Sequence, residues 1–190
     1  MPSFFRFCLA CAVLWIGLSA PVHPSPSTQD TAAQCARAGA FAARRTGVPI
    51  DVLRAISLTE TGRNLNGDLQ PWPWTVNMEG KGVWFDTRAE ALAYAKQHHA
   101  RGATSFDVGC FQINHRWHGQ HFSSIEEMFD PVMGALYAAR LLRGLHLEFG
   151  SWSKAAGAYH SRTPKFATRY RARFDQVLAS LGGQDGPVLA

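Results

Sequence analysis

Helix start and stop signals recur along this chain and cut it into short helical pieces. Pro49 and Gly62 bracket one piece, and Thr87-Arg88-Ala89-Glu90 is a capping box opening another, which runs to about His99 and stops at Gly102. Asp130-Pro131 opens a longer helix ending at Gly150; Ser151 caps a short one over Trp152 to Tyr159, and Pro164 starts a last one through about Leu181. A side-chain acceptor at the N-cap satisfies a free N–H of the first turn, proline at the first position dispenses with one, and glycine suits the turn that ends a helix. Ser124-Ile125-Glu126-Glu127 repeats the capping-box pattern. An Ala-rich first helix is predicted over Thr31 to Arg45, with Cys35, Ala38, Phe41 and Ala42 on one side and Gly47 breaking it. Val132, Ala135, Leu136, Ala139 and Leu142 give the long helix its apolar stripe.

Strand signals are few. Pro71 to Asn77 and Val83 to Phe85 are aromatic and β-branched runs around the turn Met78 to Gly82, a β-hairpin pattern. Arg63 to Gln70 reads as a polar loop and Ser105 to Trp117 as a connecting segment. At 190 residues, 46% hydrophobic and 17% charged, there is material for one domain with a sizeable core. The expected class is mainly α, α+β in type: a single helical domain with one small β-hairpin forming part of a cleft.

Residues 1–20 have a different character. Arg6 precedes the uncharged apolar run Phe7 to Leu18, and Gly17, Ser19 and Ala20 are small, the pattern of a secretory signal peptide. The run is short for a membrane span, with an uncleaved anchor as the alternative. Residues 21–30, rich in Pro, Ser and Thr, read as a flexible leader, 31–181 as the folded domain and 182–190 as a loose tail. Export without the signal leaves Cys35 and Cys110, and an even pair in an exported chain reads as a disulfide, two buried thiols being the alternative. The net charge is +5 at pH 7 and one lower without Arg6, which favours anionic surfaces such as a cell-wall polymer or a lipid headgroup layer. With export and no recognition motif, nucleic acid is not an expected partner. A periplasmic location and a monomer are expected.

Within Val52 to Gly62, Leu53, Ile56, Ser57 and Glu60 fall at i, i+3, i+4 and i+7, so Glu60 shares a stripe with core residues. A carboxylate on the inward face of a helix end is costly unless it is protonated, paired or open to a cleft. Partial drying raises its pKa toward neutrality, which is what a general acid working near pH 7 requires. The bland alternative is a last-turn glutamate reaching solvent.

Further signals follow in order: Gly109-Cys110-Phe111-Gln112-Ile113-Asn114, then Ala158-Tyr159-His160-Ser161, then Arg169-Tyr170. With Glu60-Thr61 this succession, over roughly Pro49 to Leu178, resembles the soluble lytic transglycosylases (SLT domains), relatives of goose-type lysozyme. Those proteins carry Glu-Ser, Gly-Leu-Met-Gln-Ile-Asn and Ala-Tyr-Asn-Ala-Gly. The resemblance implies a lysozyme-like fold, Glu60 as the single catalytic acid/base, and Thr61, Gly109, Gln112 and Asn114 as substrate contacts. It also implies that Tyr159 and Tyr170 stand near the carboxylate. Thr61 keeps the hydroxyl of the usual Ser. Cys110 and Phe111 replace Leu and Met, and His160-Ser161 departs from Asn-Ala-Gly, leaving His160 without an inherited role.

The implied activity is non-hydrolytic cleavage of the MurNAc–GlcNAc β-1,4 bond of peptidoglycan, giving 1,6-anhydromuramic ends. Glycoside cleavage ordinarily employs two carboxylates. Asp68, Glu79, Asp86 and Asp107 all read as solvated acids in loops or hairpin ends. One carboxylate suffices if the substrate's N-acetyl group shields the developing cation and its 6-hydroxyl is the attacking group. Trp72, Trp74 and Trp84 are candidates to stack on sugar rings, with hairpin packing as the rival role. His115, His118 and His121 drift round a helix at i, i+3 and i+6, with no free Cys to join them, so no metal is expected, and no cofactor. The rival functions are a hydrolytic muramidase and a non-catalytic wall-binding module. Proteins of this type resemble enzymes that open the wall for secretion, conjugation or flagellar machines.

Overall fold

The computed structural model describes residues 27–182, so the expected signal peptide, most of the expected leader and nearly all of the expected tail lie outside the described residues. Helix α1 spans Thr28–Thr46, starting inside the stretch expected to be a flexible leader. The reason is local: Ser27 Oγ accepts from the Asp30 N–H, and Asp30 sits in the first turn, where the helix dipole favours an acid. Gly47 ends α1 at φ 76°, the left-handed conformation that glycine adopts without a Cβ clash.

Helix α2 (Ile50–Thr61) follows at once. Two short hairpins come next: β1 (Arg63–Leu65) with β2 (Asp68–Gln70), then β3 (Thr75–Met78) with β4 (Lys81–Trp84). Helix α3 (Arg88–Ala100) is opened by the Thr87–Glu90 capping box with both reciprocal bonds formed. Strands β5 (Phe106–Val108) and β6 (Ile113–Asn114) lead into α4 (His115–His118), α5 (Ile125–Met128), α6 (Pro131–Phe149), α7 (Trp152–His160) and α8 (Pro164–Ser180). The class is mainly α with a small antiparallel β region.

The β content exceeds expectation in two places. Arg63 to Gln70 is a hairpin rather than a loop, turned at Asn66 (φ 55°) and Gly67 (φ 96°). Asn-Gly supplies the two positive φ angles of a tight two-residue turn, so the signal was there, hidden by polar flanks. The segment 105–117 is not merely a connection either: β5 pairs antiparallel with β3, and β6 with β5, giving a sheet ordered β4-β3-β5-β6.

The helices surround an apolar centre. Helix α1 packs on α6 and α2, α6 on α7, α7 on α8, and α8 returns to α2. Leu53 and Ile56 of α2, Leu142 of α6, Trp152 of α7 and Phe174 of α8 are fully buried there. Burying a large apolar side chain stabilises by about 1.5–3 kcal/mol each. Alanines at Ala38, Ala42, Ala138 and Ala139 bring α1 and α6 close together. Val132, expected on the α6 stripe, is exposed instead, because the buried face of α6 begins at Gly134 and Ala135. Cys35 on α1 and Cys110 after β5 form a disulfide across 75 residues, and both are buried. Among the described residues no helix is long and apolar enough to cross a membrane.

Candidate active site

Helix α2 delivers Glu60 to a cleft of about 440 Å³ between the helices and the sheet. The helix stops abruptly because Gly62 turns away at φ −55°, ψ 123°, with its N–H on Leu58 O. A Cβ at Gly62 would lie 2.4 Å from Leu58 O, so close approach, not a left-handed φ, demands glycine here. Thr61 is wholly buried. Its hydroxyl donates to Ser57 O at 2.9 Å and accepts from the Trp72 N–H at 3.1 Å, tying the helix end to the chain entering the sheet. It is a structural tie beneath the cleft and does not line it, contrary to the expected substrate contact.

Tyr170, 110 residues away on α8, donates to Glu60 Oε1 at 2.7 Å. Burial raises the Glu60 pKa from 4.5 to about 8; the Tyr170 bond opposes the rise, the Asp107 charge adds to it, and Arg173 opposes it. At neutral pH the carboxyl is therefore mostly protonated. Since Oε1 accepts from Tyr170, Oε2 is left to carry the acid proton. Tyr159 also lines the cleft, but its hydroxyl is committed to Phe111 O at 2.6 Å. Both phenols are held well above their ordinary range, first by burial and next by the Glu60 charge. His160 lies on the cleft rim, stacked on the Tyr170 ring at 4.6 Å and 8°.

The opposite wall is built from the sheet and the turn after β5. Gln112 has φ 46°, uncommon for a non-glycine residue. Its side-chain amide donates to Gly109 O at 3.0 Å and Thr75 O at 3.2 Å, and these bonds hold the turn. Gly109 is buried at φ 78° with its N–H on Thr75 O, so it shapes this wall from behind rather than lining it as expected. Asn114 does line the cleft; its amide donates to Asp107 Oδ1 at 2.8 Å, and its carbonyl caps α4 by accepting from the Trp117 N–H.

Asp107 overturns its assignment as a solvated loop acid. It stands on β5 opposite Asn77 of β3 and Asn114 of β6, and its two oxygens accept one bond from each amide, at 3.0 and 2.8 Å. Burial raises its pKa, the Asn114 and Asn77 bonds opposing. Phe106 and Val108 are buried on the other face of the same strand, so simple alternation turns Asp107 into the cleft. Asp68, Glu79 and Asp86 are exposed, as anticipated.

Two indoles open onto the cleft. Trp84 is 44% exposed with Nε1–H on Thr61 O at 3.2 Å, and Trp117 is 63% exposed with the Arg116 guanidinium 5.0 Å from its ring. Trp72 and Trp74 are buried in packing, and Trp117, which lines the cleft, is not among the tryptophans that the sequence reading singles out. The three histidines take separate parts: His115 stacks on Phe106 at 4.6 Å, His118 Nδ1 bonds the Tyr137 hydroxyl at 2.7 Å, and His121 rests against the Tyr137 ring. Among the described residues no three His, Cys, Asp or Glu side chains gather closely enough to hold a metal ion. Comparison of the chain with family models, curated proteins and solved structures gives no match.

Proposed function

We propose that this chain is an exported peptidoglycan lytic transglycosylase of lysozyme-like fold, with Glu60 as its acid and then its base. One observation carries the reading: a glutamic acid held protonated near pH 7 by burial, gripped by Tyr170, at the edge of an open cleft. The order of Glu60-Thr61, Gly109 to Asn114, Tyr159 and Tyr170 along the sequence supports it. So do the amides of Gln112 and Asn114 and the exposed indoles of Trp84 and Trp117, groups suited to a row of sugar rings.

In this mechanism Glu60 Oε2–H protonates the bridging oxygen, and the leaving sugar departs with that proton. The substrate's N-acetyl oxygen shields the anomeric carbon. Glu60, now a carboxylate steadied by the Tyr170 hydroxyl, removes the proton of the same sugar's 6-hydroxyl, whose oxygen attacks the anomeric carbon. The 1,6-anhydro ring closes without water, and Glu60 regains its proton. A general acid is most effective with a pKa near the working pH, which the burial of Glu60 supplies.

A hydrolytic muramidase is the second reading, and Asp107 favours it. A second carboxylate in the same cleft could align a water for attack. Purified sacculi digested in H₂¹⁸O and analysed by mass spectrometry separate the two. The first reading expects anhydromuropeptides without ¹⁸O, abolished by Glu60→Gln. Products carrying ¹⁸O at the reducing end, lost with Asp107→Asn, establish hydrolysis instead, and full activity of Glu60→Gln refutes both. The proposed setting is the periplasm, with glycan strands as the partner and a secretion, conjugation or flagellar machine as the candidate user.

A further inference from the structure

A second concavity, about 230 Å³, lies between α7 and α8, away from the cleft. Lys154, Gly157, Ala158 and Ser161 fall at i, i+3, i+4 and i+7 along α7 and its cap. Pro164, Ala167, Thr168 and Arg171 repeat that spacing on α8. At about 100° per residue each set is one stripe, and the two stripes face one another across the groove. Tyr159 and His160, which line the cleft, lie on the other side of α7, so the two concavities sit back to back on the same helix.

The floor is apolar and tight. A Cβ on Gly157 would meet Ala167 O at 3.1 Å, so the helices are in tight contact there, with Ala158, Ala167 and the Phe149 ring lining the hollow. Lys154 and Arg171 stand on the rim, and among the described residues neither has a carboxylate within ion-pairing distance. Arg162 differs, because Glu148 holds it in two bonds at 2.7 and 2.8 Å. The two helices carry Lys154, Lys165, Arg169, Arg171 and Arg173 against one acid, Asp175, which accepts from the Ser153 hydroxyl. Among the described residues the face is thus an apolar hollow edged by two cations, Lys154 and Arg171, that make no ion pair.

We propose that the α7–α8 groove is a docking site for an acidic segment of a partner protein. One large apolar side chain of that segment fills the hollow while flanking carboxylates meet Lys154 and Arg171. The size favours this occupant, since pockets for small molecules are commonly about 300–1,000 Å³ and this one holds one or two side chains. The concavity tells against a flat lipid surface, which would seat better on protruding apolar groups. The proposal does not depend on the chemistry of the cleft, and it gives the chain a handle that leaves the cleft free.

A random dodecapeptide library displayed on phage and panned against the purified full chain tests it. Selected peptides should combine at least two acids with one large apolar residue. Their recovery should fall at least tenfold on the charge variant Lys154→Glu/Arg171→Glu and on the groove-filling variant Ala158→Leu, each checked by circular dichroism. Recovery on Glu60→Gln should be unchanged. Failure to enrich such peptides, equal recovery on both groove variants, or equal binding by acidic peptides lacking an apolar residue would overturn the proposal. So would binding of phosphatidylglycerol vesicles that requires Lys154 and Arg171 while no peptide binds.

Discussion

Replacing Glu60 by Gln should stabilise the protein while destroying its activity, and the stabilisation should grow with pH. The folded-state pKa, about 8, lies above the unfolded value of 4.5, so folding favours the protonated side chain. Stability from this group is complete below pH 4.5 and drains as pH rises to about 8. One ionising group costs about 1.36 kcal/mol per pH unit between its two pKa values, so wild type should forfeit about 1 kcal/mol at pH 5, about 2 at pH 6, about 3 at pH 7 and about 4 at pH 8. Glutamine keeps the shape and the acceptor for Tyr170 but has nothing to ionise, so the variant escapes that loss.

Urea denaturation of both proteins at each pH, followed by tryptophan fluorescence and with equal m-values as the check on two-state behaviour, gives the difference directly. Other titrating groups largely cancel in it, Asp107 excepted, since its charge acts on Glu60. A difference that stays level from pH 5 to pH 8 would show an ordinary hydrated carboxylate at Glu60. The case for a dry acid, and with it the mechanism above, would then fall.

Three further outcomes are expected. Tyr170→Phe removes the bond that opposes the rise in the Glu60 pKa, and a hydrogen bond to a charged group is worth about 1.5–3 kcal/mol, so the alkaline limb of the pH–rate profile should move up by roughly 1–2 units. The rate itself should fall, on the order of tenfold, and an unmoved limb contradicts the assignment. Trp117→Ala should leave stability within about 0.5 kcal/mol, because the ring is 63% exposed, yet raise KM on sacculi roughly fivefold through loss of a sugar platform. An unchanged KM removes Trp117 from binding. Cys35→Ser should cost up to about 4 kcal/mol, read as a lower Tm, by opening a 75-residue loop, and wild-type stability in that variant contradicts it.

Helices were legible because their punctuation is chemical and local. Thr87 with Glu90, Asp130 before Pro131, and Ser151 each form the cap that their types and spacing announce. The second Ser-x-x-Glu was legible only in part. Ser124 caps α5, but the Glu127 carboxylate accepts from the Ser123 N–H rather than closing the box. Short strands escaped notice because β5 and β6 run three and two residues, too short for alternation to register, and exist only through pairing, β5 with β3 and β6 with β5. Asp107 was lost with them. The sequence distinguishes an acid in a loop from an acid on a strand only if it shows the strand, and here the cross-strand partners Asn77 and Asn114 lie 30 and 7 residues away.

Glu60 shows how far local information reaches and what completes it. Helical period puts it on the face of Leu53 and Ile56, which sets its direction but not its dryness. A helix end facing a cleft is wet unless something covers it, and the cover is α8, which packs on α2 with Tyr170 and Phe174 buried. The same helix sets the pKa from both sides. Its bulk excludes water and raises the value, while Tyr170 and Arg173 favour the charge and keep the rise near 8. A fully apolar cover would leave an acid too weak to ionise during turnover, and an open one would leave a carboxylate with no proton to give. The last helix is therefore as much a part of the acid as Glu60, and its stripe of Tyr170, Phe174 and Leu178 is held in place by ordinary packing rather than by any feature peculiar to a catalytic motif.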